Sequence, residues 1–174
     1  MAASAVSQLN QILERVALIQ SGITCTLPDG TTGAVTNAYP YIEWEVASAN
    51  VPFFADEVKD WTANIYAGGG SLSQRIETII PMHLCLMTVE EGASLALNLQ
   101  TVCAWRDAVF AAFAASVQLS GGHGPLLNAA GNGFVTEVVL KGGRIEALSL
   151  GSNIYASMCF DLTVVENFLL PVGM

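Results

Sequence analysis

Charge is scarce in this chain. Charged residues make up only 12% of it, where soluble proteins typically carry about 25%. Six Lys and Arg oppose fifteen Asp and Glu, leaving a formal net charge of −9. Phosphate binding rests on Lys and Arg, so this balance argues against nucleic acid as a specific partner and against an anionic membrane surface. Long apolar runs are missing too. A spanning helix needs about 20 consecutive apolar residues. The best stretch, from Ala93 to Val117, is broken by Asn98, Gln100, Arg106 and Asp107, and its clean run from Ala108 to Ala115 is too short. No basic segment followed by an apolar one opens the chain, so no secretory signal is expected. These features predict a soluble protein made in the cytoplasm, with no membrane partner.

Residues suited to chemistry are also few. Cys25, Cys85, Cys103 and Cys159 lie far apart and form no C-x-x-C. In a protein without a secretory signal they are expected to be free thiols, three of them within apolar patterns. His83 and Cys85 stand two apart, but no second His/Cys cluster completes a zinc site in sequence. There are two histidines, His83 in an apolar strand pattern and His123 in a glycine-rich stretch. No G-x-S-x-G elbow accompanies either. Gly68-Gly69-Gly70 and Gly121-Gly122-His123-Gly124 lack the G-K-[ST] of a phosphate loop. The carboxylate pairs Glu43/Glu45, Asp56/Glu57 and Glu90/Glu91 have no EF-hand spacing and suit a solvated face. The expectation is a protein with no catalytic residues, no metal and no cofactor.

What the chain has in quantity is apolar residues, 52% of 174. That excludes disorder and suits one domain, residues 1–174, with surface intended for neighbours. Residues 4–20 carry helical spacing in Val6, Leu9, Leu13 and Val16, reinforced by Ile12 and Ile19. Ser4 is a plausible N-cap, and Gly22 is expected to close the helix in a left-handed conformation. Residues 28–33 read as a turn. Short strands are expected at 41–47 and 62–66, and a long strand over 74–89. Pro81 in that strand implies an edge or a bulge. A long helix follows over 92–118, with Leu95, Leu99, Val102, Val109 and Phe113 as its stripe, widened by Leu97, Trp105 and Phe110. Strands over 134–140, 144–150 and 154–166 close the chain. Gly142-Gly143 marks a hairpin between the first two, and Gly151-Ser152-Asn153 a turn before the last.

Helices set apart from consecutive strands predict an α+β fold. The simplest form is an antiparallel sheet of about four to five strands with two helices on one face. Long loops are expected at about 34–73 and 119–133. The first holds Tyr39, Tyr41, Trp44, Phe53, Phe54 and Trp61. Two readings of these rings stay open: an interface with another subunit, or packing on the domain's own core.

The order of segments resembles a known family. Val51-Pro52-Phe53-Phe54 leads through a polar excursion to Arg75-Ile76-Glu77-Thr78 and a long strand. Glu90-Glu91-Gly92-Ala93 and a helix with Trp105-Arg106-Asp107-Ala108-Val109 follow, then Leu119 and a glycine-rich loop. Tyr155 and Phe160-Asp161-Leu162-Thr163-Val164-Val165-Glu166 complete the closing meander. This pattern, over about 50–166, resembles the tail-terminator and minor tail proteins of long-tailed bacteriophages. The resemblance implies a structural virion protein, not an enzyme. It would form a homohexameric ring at the head-proximal end of the tail tube, contacting the tube protein and the head–tail connector. The ring would stop tube growth and let DNA pass without specific binding. Six copies of a chain at −9 would carry −54 formal charges, and acids lining the lumen would repel passing DNA.

Overall fold

The computed structural model describes residues 8–42, 46, 50–68, 71–89, 99–119, 126 and 133–170. Helix α1, Leu9–Ser21, buries Ile12, Leu13, Val16, Ala17 and Gln20 along one face. Residues 1–7, with Ser4 and Val6, lie outside the described residues. Gly22 ends the helix at φ −89°, a right-handed conformation and not the expected left-handed one. Its N–H still bonds to the Ile19 carbonyl at 3.1 Å. A small antiparallel pair, β1 at Thr24–Thr26 and β2 at Thr32–Ala34, flanks the turn expected at 28–33.

Within the region expected as a long loop over 34–73, the described residues are mostly strand, and the short strand expected at 62–66 is present as part of a longer one. The region contains β3 at Asn37–Tyr39, β4 at Phe53–Asp56 and β5 at Asp60–Gly68, and it runs into β6, Ser71–Thr88. β5 and β6 form a hairpin paired from Asp60↔Ile79 to Gly68↔Ser71. The expected strand over 41–47 falls largely outside the described residues, as does most of the loop at 119–133. Helix α2 is described over Leu99–Ala115 and ends before the expected residue 118; its expected start at 92 lies outside the described residues. Gln118 and Leu119 follow with positive φ, which turns the chain out of the helix.

Two long strands close the chain, β7 at Gly133–Leu150 and β8 at Asn153–Leu170. Gly142-Gly143 makes no hairpin. β7 runs straight through it with a bulge, its register against β8 slipping between Lys141 and Arg144. Gly143 packs so closely that a Cβ there would lie 2.2 Å from the Cys159 carbonyl oxygen. The expected turn at residues 151–153 is the real β7–β8 hairpin.

Among the described residues, the main sheet has six strands in the order β3-β4-β6-β8-β7, with β5 also paired to β6. It is mixed, not purely antiparallel, because β3 runs parallel to β4. The fold is therefore α+β with strand as its main component. β6, β7 and β8 each have 18 residues, or roughly 60 Å of extended chain.

Alternation divides the sheet into two faces. Phe54, Ile80, Met82, Leu84, Met158, Phe160, Leu162 and Val164 point to the helix side. There they meet Ile12, Leu13 and Val16 of α1 and Val102, Trp105, Val109 and Phe113 of α2 in one buried cluster. Phe110 adds an edge-to-face contact with Phe160 at 6.1 Å. Among the described residues, no helix is long and apolar enough to cross a membrane.

Candidate functional site

Three regions of the sheet carry functional potential: the projecting β5–β6 hairpin, the long β7 edge, and the face turned away from the helices. Among the described residues, the cluster shared with the helices takes Ile80, Met82 and Leu84 of β6, with Leu86 and Met87 packed against it, and none of Ser71–Ile79. Beyond it, Ser73 to Thr78 are mostly half-buried and the β5 residues 61–66 are exposed. Register places Trp61, Ala63 and Ile65 on the helix side of the sheet, opposite Thr78, Ile76 and Gln74. Trp61 is 67% exposed and Ile65 65%. β5 therefore presents an uncovered apolar stripe. Among the described residues, β5 pairs with no strand but β6, and β7 with none but β8. The start of β7 is covered, since the Val135 N–H donates to the Leu126 carbonyl at 3.1 Å.

The six candidate interface aromatics do not form one patch. Phe53 and Phe54 are 0% exposed. They belong to the chain's own core on opposite sheet faces, so the interface reading is corrected for both: neither ring is available to a partner. Phe53 makes edge-to-face contacts with Tyr39 at 5.8 Å and Tyr155 at 5.1 Å. Tyr39 is half-buried. Tyr41 is exposed, and its hydroxyl lies 3.2 Å from Asn10 Oδ1. Trp44 lies outside the described residues. Trp61 alone stands on an open strand edge. Ile65, its companion, is missed by a search for aromatics; the i, i+4 spacing on an edge strand would have found it.

The face away from the helices is polar in its middle. Ion pairs there link Arg75 with Glu77 and Glu137, both at 3.9 Å. Arg144 pairs with Glu146 at 2.7 Å and approaches Asp161 at 3.9 Å. At one end, Phe53, Ala55, Cys85, Leu150 and Tyr155 form a second apolar cluster with Val46, and the Tyr155 hydroxyl donates to the Val46 carbonyl. Between the ion pairs and this cluster, register sets His83 opposite Cys159 and Cys159 opposite Arg144. His83, Glu146 and Cys159 offer ligand atoms all within 4.8 Å of one another. Sequence spacing set only Cys85 near His83, with no second cluster to complete a site. The cross-strand register supplies Cys159 instead, 76 positions away.

Not every acid is on a surface. Asp56 is buried against α1, where Gln20 Nε2 donates to its two oxygens at 2.7 and 3.0 Å. Burial pushes its carboxyl up to about 8, against the lowering effect of that amide. Glu166, buried on the helix side, is pushed up to about 7 by the same cause. Neither can line a lumen, and Arg75 and Arg144 are interspersed with the acids of the open face. His123, Glu43, Glu45, Glu90 and Glu91 lie outside the described residues.

No protein-family model matches the chain, and no curated protein sequence matches it.

Proposed function

We propose that the protein is a structural, non-enzymatic virion subunit that forms a ring at the head-proximal end of a bacteriophage tail, in the manner of a tail terminator. The observation that carries this reading is the open sheet. Among the described residues, β7 offers on one side an edge with no strand partner beyond its covered start, and β5 offers an edge with exposed Trp61 and Ile65 on the other. Such edges are hazards in a monomer unless covered. Head-to-tail pairing of unlike surfaces generates a ring when the rotation closes. A homohexamer, with the tube protein below and a head–tail connector above, is the assembly the family resemblance implies.

A second reading is favoured by the dominance of strand over helix: a subunit of the tail tube itself. One experiment separates the two. Virus particles assembled after silencing the gene are imaged by electron microscopy. Overlong or unjoined tails support termination. Absence of tails supports the tube reading, and normal joined tails overturn both.

A further inference from the structure

The structure assigns a zinc site to the open face of the sheet, with His83, Glu146 and Cys159 as its protein ligands. The inference is independent of the ring reading, since it concerns one subunit alone.

Three neighbouring strands build the cluster. His83 comes from β6, Cys159 from β8 and Glu146 from β7. His83 is only 5% exposed and Cys159 0%. Among the described residues, neither nitrogen of the His83 ring has a hydrogen-bond partner. A buried polar group left in that state is destabilising, so a fold retaining one calls for a partner. Its Nδ1 lies 3.2 Å from Glu146 Oε1, close but not aligned for a hydrogen bond. Converging electron pairs at this distance suit a shared cation. Ligand atoms around a tetrahedral zinc sit about 2.0–2.3 Å from the ion, hence about 3.3–3.6 Å from one another. The imidazole–carboxylate pair already has that spacing. The 4.8 Å limit on the whole set leaves about 1 Å of side-chain adjustment for the thiol.

Chemistry selects the ion. Nitrogen, sulfur and one carboxylate oxygen suit zinc, whereas magnesium and calcium prefer all-oxygen shells. The groups facing His83 are Glu146, Glu57 and Asp161, with Arg144 as the opposing cation. Arg144 is not a competitor for the ligand atom. Its Nε donates to Glu146 Oε2 at 2.7 Å, which leaves Oε1 turned to the imidazole and fixes the carboxylate as an outer-shell partner does. Asp161 lies two residues from Cys159 on the same face, and its Oδ1 is buried with no hydrogen-bond partner among the described residues. On binding, the Cys159 thiol releases its proton to solvent and coordinates as thiolate. Three protein ligands leave a fourth position for water.

The test uses the full chain, stripped with chelator and titrated with cobalt(II) as a spectroscopic probe. One equivalent per chain should produce a sulfur-to-cobalt charge-transfer band in the near ultraviolet. Zinc should displace it, and excess magnesium should not. Cys159→Ser should abolish the band, while Cys85→Ser, Cys25→Ser and Cys103→Ser should retain it. Glu146 is partly exposed, so Glu146→Gln remains informative if Cys159→Ser fails to fold. It should weaken zinc binding at least tenfold, with unchanged circular dichroism. Absence of the band in the parent chain overturns the site. So does a band lost in Cys25→Ser or Cys103→Ser but kept in Cys159→Ser, and so does zinc affinity unaltered by Glu146→Gln.

Discussion

The buried Asp56 should make this protein less stable as pH rises through neutrality. In the unfolded chain its carboxyl titrates near 3.8, and in the folded chain burial raises it to about 8. Between those values the native state holds a proton that the unfolded state has lost. Stability is therefore fully present below the lower value and declines as pH rises through the upper one. Each pH unit in the window costs about 1.4 kcal/mol for one such group. From pH 6.5 to 8 the native carboxyl is mostly but not wholly protonated, so the expected loss is about 1.5 kcal/mol. Glu166, raised to about 7, acts in the same direction over the lower part of the window. His83 acts oppositely, because burial lowers its value from 6.5. Cys85 and Cys159, raised from 9.0 to about 12, act mainly above it. Urea unfolding at pH 6.5 and 8, read by tryptophan fluorescence, measures the difference, and a melting temperature lower by about 3–6 °C accompanies it for a domain of this size. Asp56→Asn keeps an amide opposite Gln20 but cannot ionise, and should flatten the slope by about 1.5 kcal/mol. Equal slopes in the two proteins, or greater parent stability at pH 8, would refute the reasoning.

Gly143→Ala should destabilise by about 1–3 kcal/mol, since its Cβ would meet the Cys159 carbonyl oxygen at 2.2 Å, whereas Gly142→Ala next to it faces open space and should change little; urea midpoints of the pair decide. Phe53→Ala and Phe54→Ala should each cost about 3–5 kcal/mol as core deletions, while the exposed Trp61→Ala should stay within about 0.5 kcal/mol and act on assembly, read as loss of rings by electron microscopy.

The parts legible in sequence were those governed by local pattern. The apolar spacing of Ile12, Leu13 and Val16 placed α1, and that of Val102, Trp105, Val109 and Phe113 placed the buried face of α2. Glycine chemistry was ambiguous in a way local pattern could not resolve. Gly142-Gly143 and Gly151-Ser152 both read as turns, but only the second reverses the chain. The first serves a bulge, because Gly143 must pass beside the Cys159 backbone with no room for a Cβ. Phe53, Phe54 and Trp61 fall in the expected loop because Pro52 and the glycines interrupt the pattern, whereas 62–66 already reads as strand and lies within β5. Tertiary pairing with β6 overrides those interruptions. The His83–Glu146–Cys159 cluster was invisible for a different reason. Its members are joined by register across three strands, and register across long loops is not written in any local spacing.

The distribution of cover along the long strands bears most directly on how this subunit would be used. Helices α1 and α2 seal the helix side of β6 over Ile80–Leu84, where the sheet is fully apolar. The polar ladder of Arg75, Glu77, Glu137, Arg144 and Asp161 leaves the middle of the opposite face able to meet water without cover. The remaining stretch, the hairpin of β5 with the first half of β6, has neither solution. Its helix-side stripe of Trp61, Ala63 and Ile65 is apolar, uncovered and set on an edge strand. A chain with 12% charged residues has little means to protect such an edge by charge, the usual device against unwanted strand pairing. Cover from a second copy would satisfy the stripe and the edge together, and this is why the ring proposal places Trp61 and Ile65, rather than the buried Phe53 and Phe54, at the subunit boundary.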